Sequence, residues 1–174
     1  MRLAHTDWTC HAGYGHAPEH MALHCLAQSV LISGDMVLPR ISTNISVFDG
    51  EPEGDPLLLY MQSLERMRSL PEETLVLPSH GRPFKGLHRR IDQLQSHHHE
   101  RLAELVAACA NAELSGMDAV EVMFARDLDA HQLPFALGEA IAHLHTLWHQ
   151  GQLKRSVDSE GIYRFKAKAE WIRS

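Results

Sequence analysis

The chain has 174 residues, 44% of them hydrophobic and 22% charged, a length and composition of one globular domain with room for a small second one, which excludes a disordered, collagenous or membrane-spanning class. Its formal net charge of −6, from 16 Lys and Arg against 22 Asp and Glu, excludes a protein held wholly on nucleic acid phosphates but leaves room for a local basic patch. Cys10, Cys25 and Cys109 form no CxxC pattern and no apolar h-region opens the chain, so neither a disulfide framework nor a cysteine zinc site is indicated, and a cytoplasmic protein without a membrane segment is expected.

Taken in chain order, residues 8–11, 21–26 and 30–33 read as short strands separated by Gly- and Pro-containing turns. From Asp55-Pro56 the period changes: Leu57, Tyr60, Met61, Leu64 and Met67 recur at helical spacing and Pro71 follows. Residues 74–77 form a short apolar run that delivers His80 to a loop. Leu87, Ile91, Leu94, Leu102, Leu105 and Cys109 then mark a long amphipathic helix. The pattern breaks near Leu114-Ser115-Gly116, dividing an α/β domain over 1–114 from a small α+β domain over 115–174. The latter reads as a helix at Val120 and Met123, a helix carrying Leu137, Ile141, Leu144 and Leu147 that stops at Gly151, and a hairpin of 152–157 with 162–166. Two helices and a hairpin are the outline of a winged helix.

The 14 histidines are the compositional outlier, and His is the commonest metal ligand. Gly13-Tyr14-Gly15-His16-Ala17-Pro18-Glu19-His20 is a glycine-flanked loop between two strands, Leu31-Ile32-Ser33-Gly34-Asp35 ends a strand on a carboxylate, and Leu77-Pro78-Ser79-His80 ends another on an imidazole. Imidazoles and a carboxylate suit zinc or another borderline divalent ion that acidifies a bound water. Hydrogen-bonded loop histidines and a turn-capping aspartate are the plain alternatives for each residue singly.

Together, Gly-His-Ala-Pro-Glu-His, Leu-Ile-Ser-Gly-Asp-Met-Val-Leu-Pro-Arg and Leu-Pro-Ser-His-Gly-Arg-Pro-Phe resemble the second half of a metallo-β-lactamase-fold hydrolase, and the tail resembles the winged-helix extension of glyoxalase II-like and ribonuclease-like members. The resemblance implies an αββα sandwich, of which this chain carries the second half, followed by a winged helix. It implies that His16, Asp35 and His80 hold one or two metal ions, zinc first and Mn or Fe as alternatives, with Asp35 bridging. It further implies that His20 supports the site from behind and that a metal-bound hydroxide attacks an ester, thioester or phosphodiester. Arg40, just past the aspartate, is placed to meet an anionic substrate, with a surface arginine as the plain alternative.

The family's HxHxDH motif is absent from this chain, where His5-Thr6-Asp7 offers only a fragment of it. A chain of this kind is expected to be impaired or inactive alone, and either to pair with itself through an uncovered sheet face or to need a separate N-terminal half. His97, His98 and His99 read as a solvated or partly packed helix face, His143, His145 and His149 as surface residues, and the three cysteines as buried small hydrophobes. The competing reading is a non-catalytic winged-helix binding module. Its helix carries no Lys or Arg between Leu133 and Gly151, while Lys154, Arg155, Arg164, Lys166 and Lys168 on the hairpin suit a single-stranded nucleic acid or another anion.

Overall fold

Period-2 alternation in the first third of the chain builds antiparallel strands. A computed structural model describes residues 1–3 and 5–171, and in it β3 (Thr9–Gly13), β4 (His20–Cys25), β5 (Val30–Gly34) and β6 (Leu75–Pro78) form a sheet in that order. β3, β4 and β5 pair antiparallel, and β6 joins β5 in parallel after a crossover that contains α1 (Pro56–Met67). A two-residue hairpin, β1 (Arg2–Leu3) with β2 (Thr6–Asp7), precedes the sheet. Such short strands carry too few residues for a readable alternation.

The register separates the two faces of the four-stranded sheet. His24, Leu31 and Val76 lie opposite one another and are buried, as the core-facing members of a half-buried sheet should be. The neighbouring row runs Cys10, Leu23, Ile32, Leu77 across the same strands, and there Cys10 is exposed and Ile32 is 40% exposed. Cys10 therefore departs from the expected burial, whereas Cys25 and Cys109 are buried.

Two compact units arise: residues 1–43 with 58–96, and residues 44–57 with 97–174. This division does not follow the change of pattern at 114/115, because α2 (Leu87–Asn111) contributes to both units and the irregular segment 44–57 groups with the tail. In the first unit the phenol of Tyr60 on α1 donates to the Met36 carbonyl at 3.1 Å, and Ser63 accepts from the Tyr14 amide at 2.9 Å. These bonds tie the loops after β5 and β3 to the helix, beneath a core that includes Leu64, Leu87, Ile91 and Leu94.

In the second unit α3 (Gly116–Met123), α4 (Leu133–His149), β7 (Leu153–Val157) and β8 (Tyr163–Ala167) follow in the order the tail pattern predicts. A capping box opens α3, with Ser115 and Asp118 each bonding the other's backbone amide. Gly151, at φ +75°, ends α4 and turns the chain into the hairpin. His98, His143 and His145 are buried, not surface-exposed: His98 shares the stripe of Leu94 and Leu102, and the other two lie on an α4 that is buried from Ala142 to Leu147.

Candidate metal centre

Three strand ends meet at one edge of the sheet. Because β4 runs antiparallel to β5 and β6 runs parallel to it, the start of β4 and the ends of β5 and β6 coincide. Ligands gather at such carboxyl ends of strands in open α/β sheets. A register irregularity between Ile32 and Gly34, and a hydrogen bond from the Ser79 amide to the Gly34 carbonyl at 3.1 Å, fix how Asp35 and His80 leave the sheet.

Asp35 is the hub. Its Oδ2 lies 3.7 Å from Nε2 of His16, and its Oδ1 lies 3.6 Å from Nε2 of His80. The two imidazoles thus face different oxygens of one carboxylate. Among the described residues the three do not offer ligand atoms that all lie within 4.8 Å of one another, so they are arranged around a carboxylate that straddles two positions. The opposite nitrogen of His16 is 3.4 Å from the Thr43 hydroxyl, a contact of the kind that orients a ligating imidazole. His80 is 71% exposed, whereas His16 and Asp35 are about a quarter exposed at 27% and 28%.

His20 lies behind this group, its ring 6.5 Å from that of His16. Gly34 has φ +55°, and a Cβ there would run into the His20 imidazole; glycine is required both for the conformation and for the ring's place. Burial, and then the neighbouring His16, hold the pKa of His20 below its usual value against the opposing pull of Asp35. His20 is therefore neutral at pH 7.

The donor set fits a divalent ion. Oδ1 of Asp35 and Nδ1 of His20 are buried without a hydrogen-bond partner among the described residues, an unusual state for buried polar atoms. Separations of 3.6 and 3.7 Å are too long for hydrogen bonds and close to the ~3.4 Å between two ligand atoms on a tetrahedral ion with bonds of about 2.1 Å. Two imidazoles and a carboxylate match the nitrogen and oxygen ligands that zinc and its neighbours take.

His80 also lines a cavity of about 630 Å³ whose walls include Arg40, Ile41, Arg82 and Phe84. Arg40 thus joins the site, and it is accompanied by Arg82, which lies within the Leu-Pro-Ser-His-Gly-Arg-Pro-Phe motif and which sequence reasoning does not single out. Its signal is adjacency to His80 across Gly81, whose φ of +89° sharply turns the chain there. Two arginines of the basic hairpin are paired within their own unit. Arg155 pairs with Glu53 at 2.6 Å and stacks on Trp148 and Tyr163, and Arg164 pairs with Asp158 at 2.8 Å and Asp118 at 3.2 Å.

Comparison with known proteins places the chain in a family. Residues 2–80 match the metallo-beta-lactamase superfamily, and residues 102–168 match the metallo-beta-lactamase-like C-terminal domain. A beta-lactamase domain protein from Burkholderia ambifaria is 53% identical with a TM-score of 0.93, over 97% of this chain and 50% of that one. The metallo-beta-lactamase family protein TTHA1429 from Thermus thermophilus is 26% identical with a TM-score of 0.82, over 97% of this chain and 52% of that one. The probable metallo-hydrolase YqjP of Bacillus subtilis (strain 168) is 24% identical over 153 residues, which is 86% of this chain and 47% of that protein. The chain accordingly spans about half the length of these relatives, at 47% to 52% of each.

Proposed function

Since the chain belongs to the metallo-β-lactamase superfamily, we propose from that premise that His16, Asp35 and His80 are metal ligands and that the whole protein is a metal-dependent hydrolase of an ester, thioester or phosphodiester. The observation that carries this reading is the Asp35 carboxylate faced on its two oxygens by two imidazoles, at 3.7 and 3.6 Å. A zinc-class ion, with Mn or Fe as alternatives, supplies Lewis acidity that polarises the scissile group and acidifies water. His16 and His80 would hold it through their ring nitrogens, and Asp35 through its carboxylate. His20, neutral and locked against Gly34, keeps the loop that carries His16 in place. Arg40 and Arg82, on the wall that His80 shares, favour an anionic substrate.

The row Cys10, Leu23, Ile32 and Leu77, exposed at Cys10 and Ile32 and half-buried at the two leucines, supports association of this sheet face with a second layer, either another copy of the chain or an N-terminal half. Unpaired cysteines fit a reducing compartment such as the cytoplasm. No helix among the described residues is long and apolar enough to cross a membrane.

The reading is tested by hydrolysis of an activated phosphodiester, an activated ester and an acyl thioester, with zinc or manganese added to chelator-treated protein. Weak metal-dependent turnover of at least one, as befits a chain without the HxHxDH motif, and its loss in Asp35→Asn are expected, since even an outer-shell partner of a metal is worth about 10- to 100-fold. Turnover that ignores chelator, or that survives Asp35→Asn, contradicts it.

A further inference from the structure

A second group of histidines, in the unit that contains α4, forms an ordered relay. His98 on α2 and His143 on α4 are both fully buried, and Nδ1 of His98 lies 3.1 Å from Nε2 of His143. Nδ1 of His143 lies 2.7 Å from the Glu139 backbone carbonyl. A carbonyl oxygen only accepts, so Nδ1 of His143 carries that proton. Nε2 of the neutral ring must then accept, and Nδ1 of His98 must donate to it. By elimination, Nε2 is the lone-pair nitrogen of His98.

Burial keeps the pKa of His143 down at about 4 and that of His98 at about 2, so both rings are neutral at pH 7, as a metal ligand has to be. One ligand atom each from His97, His98 and Glu139 lie within 4.8 Å of one another. His97 is exposed and Glu139 is partly so, which gives the cluster a route to solvent. Burial pushes the Glu139 carboxyl up to about 7 against the lowering effect of Arg101. That guanidinium is already committed to Glu104 at 2.6 Å and to the Met123 carbonyl at 3.1 Å. An ionised carboxylate here gains from a further positive charge.

We propose that His97, His98 and Glu139 form a second metal site for a zinc-class divalent cation, with His143 as the positioning residue that fixes the His98 tautomer. Two imidazoles and a carboxylate with an open fourth position satisfy zinc. An imidazole N–H handed on to a hydrogen-bond acceptor is the usual support of a ligating histidine. The site draws on none of the strand-end residues.

Zinc alone is titrated by calorimetry into chelator-treated Asp35→Asn/His80→Ala protein, in which the strand-end group is disabled, and into the same protein carrying His97→Ala or Glu139→Gln. One equivalent is expected in the first, weakened at least ~100-fold in the other two. His97 is exposed, so its loss leaves the core intact, which thermal melting verifies. Nitrogen-resolved spectra of the imidazoles should show His98 Nε2 shifting on zinc addition while Nδ1 keeps its proton, and His143→Phe should abolish that tautomer preference. No zinc in the double variant, full binding after His97→Ala and Glu139→Gln, or an unmoved His98 resonance overturns the proposal and leaves a structural relay. Failure of the strand-end reading would instead appear as unchanged turnover in Asp35→Asn.

Discussion

The His20 imidazole occupies the space that a Cβ of Gly34 would take. Gly34→Ala must therefore both displace the ring and force a side chain onto a backbone at φ +55°. Strain of this kind costs on the order of 1–3 kcal/mol. Urea denaturation should show a loss of that size, and because the loop carrying His16 shifts with His20, zinc affinity should fall as well.

At the start of α3 the reciprocal bonds of Ser115 and Asp118 satisfy helix-end amides. Ser115→Ala should cost about 1 kcal/mol, the ordinary worth of such a cap. Ser115→Asp should recover less than the full amount, because Asp118 and a new carboxylate repel each other. Thermal melts of the two variants decide this.

The His98, His143 and Glu139 cluster makes stability depend on pH in two opposing ways. Burial lowers both histidines, to about 2 and about 4, so below pH 6.5 the unfolded chain binds protons that the folded chain does not. Their stabilisation is lost as pH falls. Glu139, raised to about 7 from 4.5, binds its proton more readily when folded, and so adds stability as pH falls from 7 toward 4.5. In chelated protein the histidines should prevail, with a net loss on the order of 1–3 kcal/mol between about pH 7 and about pH 4. Glu139→Gln removes the opposing term, so its melting temperature should fall more steeply with acid than that of the parent. A shallower fall would show that the carboxyl is not protonated in the folded state.

Arg40 and Arg82 stand on the cavity wall beside His80. Replacing Arg82 with Ala should raise KM for an anionic substrate about 10-fold, with a smaller change in kcat, because a charge that binds substrate and transition state alike changes KM. A neutral ester should not distinguish the variant from the parent.

Much of the architecture is legible in the residues. Alternation over residues 8–33 finds β3, β4 and β5, and apolar spacing finds the four α-helices among the described residues, because each element carries an apolar face that is buried. Burial of His98 is also within reach, since it stands four residues from both Leu94 and Leu102, yet a run of three histidines masks the helical phase. What the pattern does not carry is the grouping of 44–57 with the tail. That grouping rests on bonds from His145 to the Gly54 carbonyl, from Thr146 to Asp55 and from Arg155 to Glu53, which join residues far apart in the chain and leave no local period. The strand-end residues His16, Asp35 and His80 can be named from their motifs. That the two imidazoles face different oxygens of Asp35 depends on strand register, which spacing does not reveal. Arg82 escapes a sequence reading because adjacency to His80 acquires meaning only once the cavity is seen.

The most direct test is zinc content by elemental analysis of His97→Ala protein, which removes the second cluster, with and without Asp35→Ala. The account predicts at least one equivalent bound when Asp35 is present and essentially none when it is replaced. Equal zinc in the two proteins would contradict the assignment of His16, Asp35 and His80 as a metal centre.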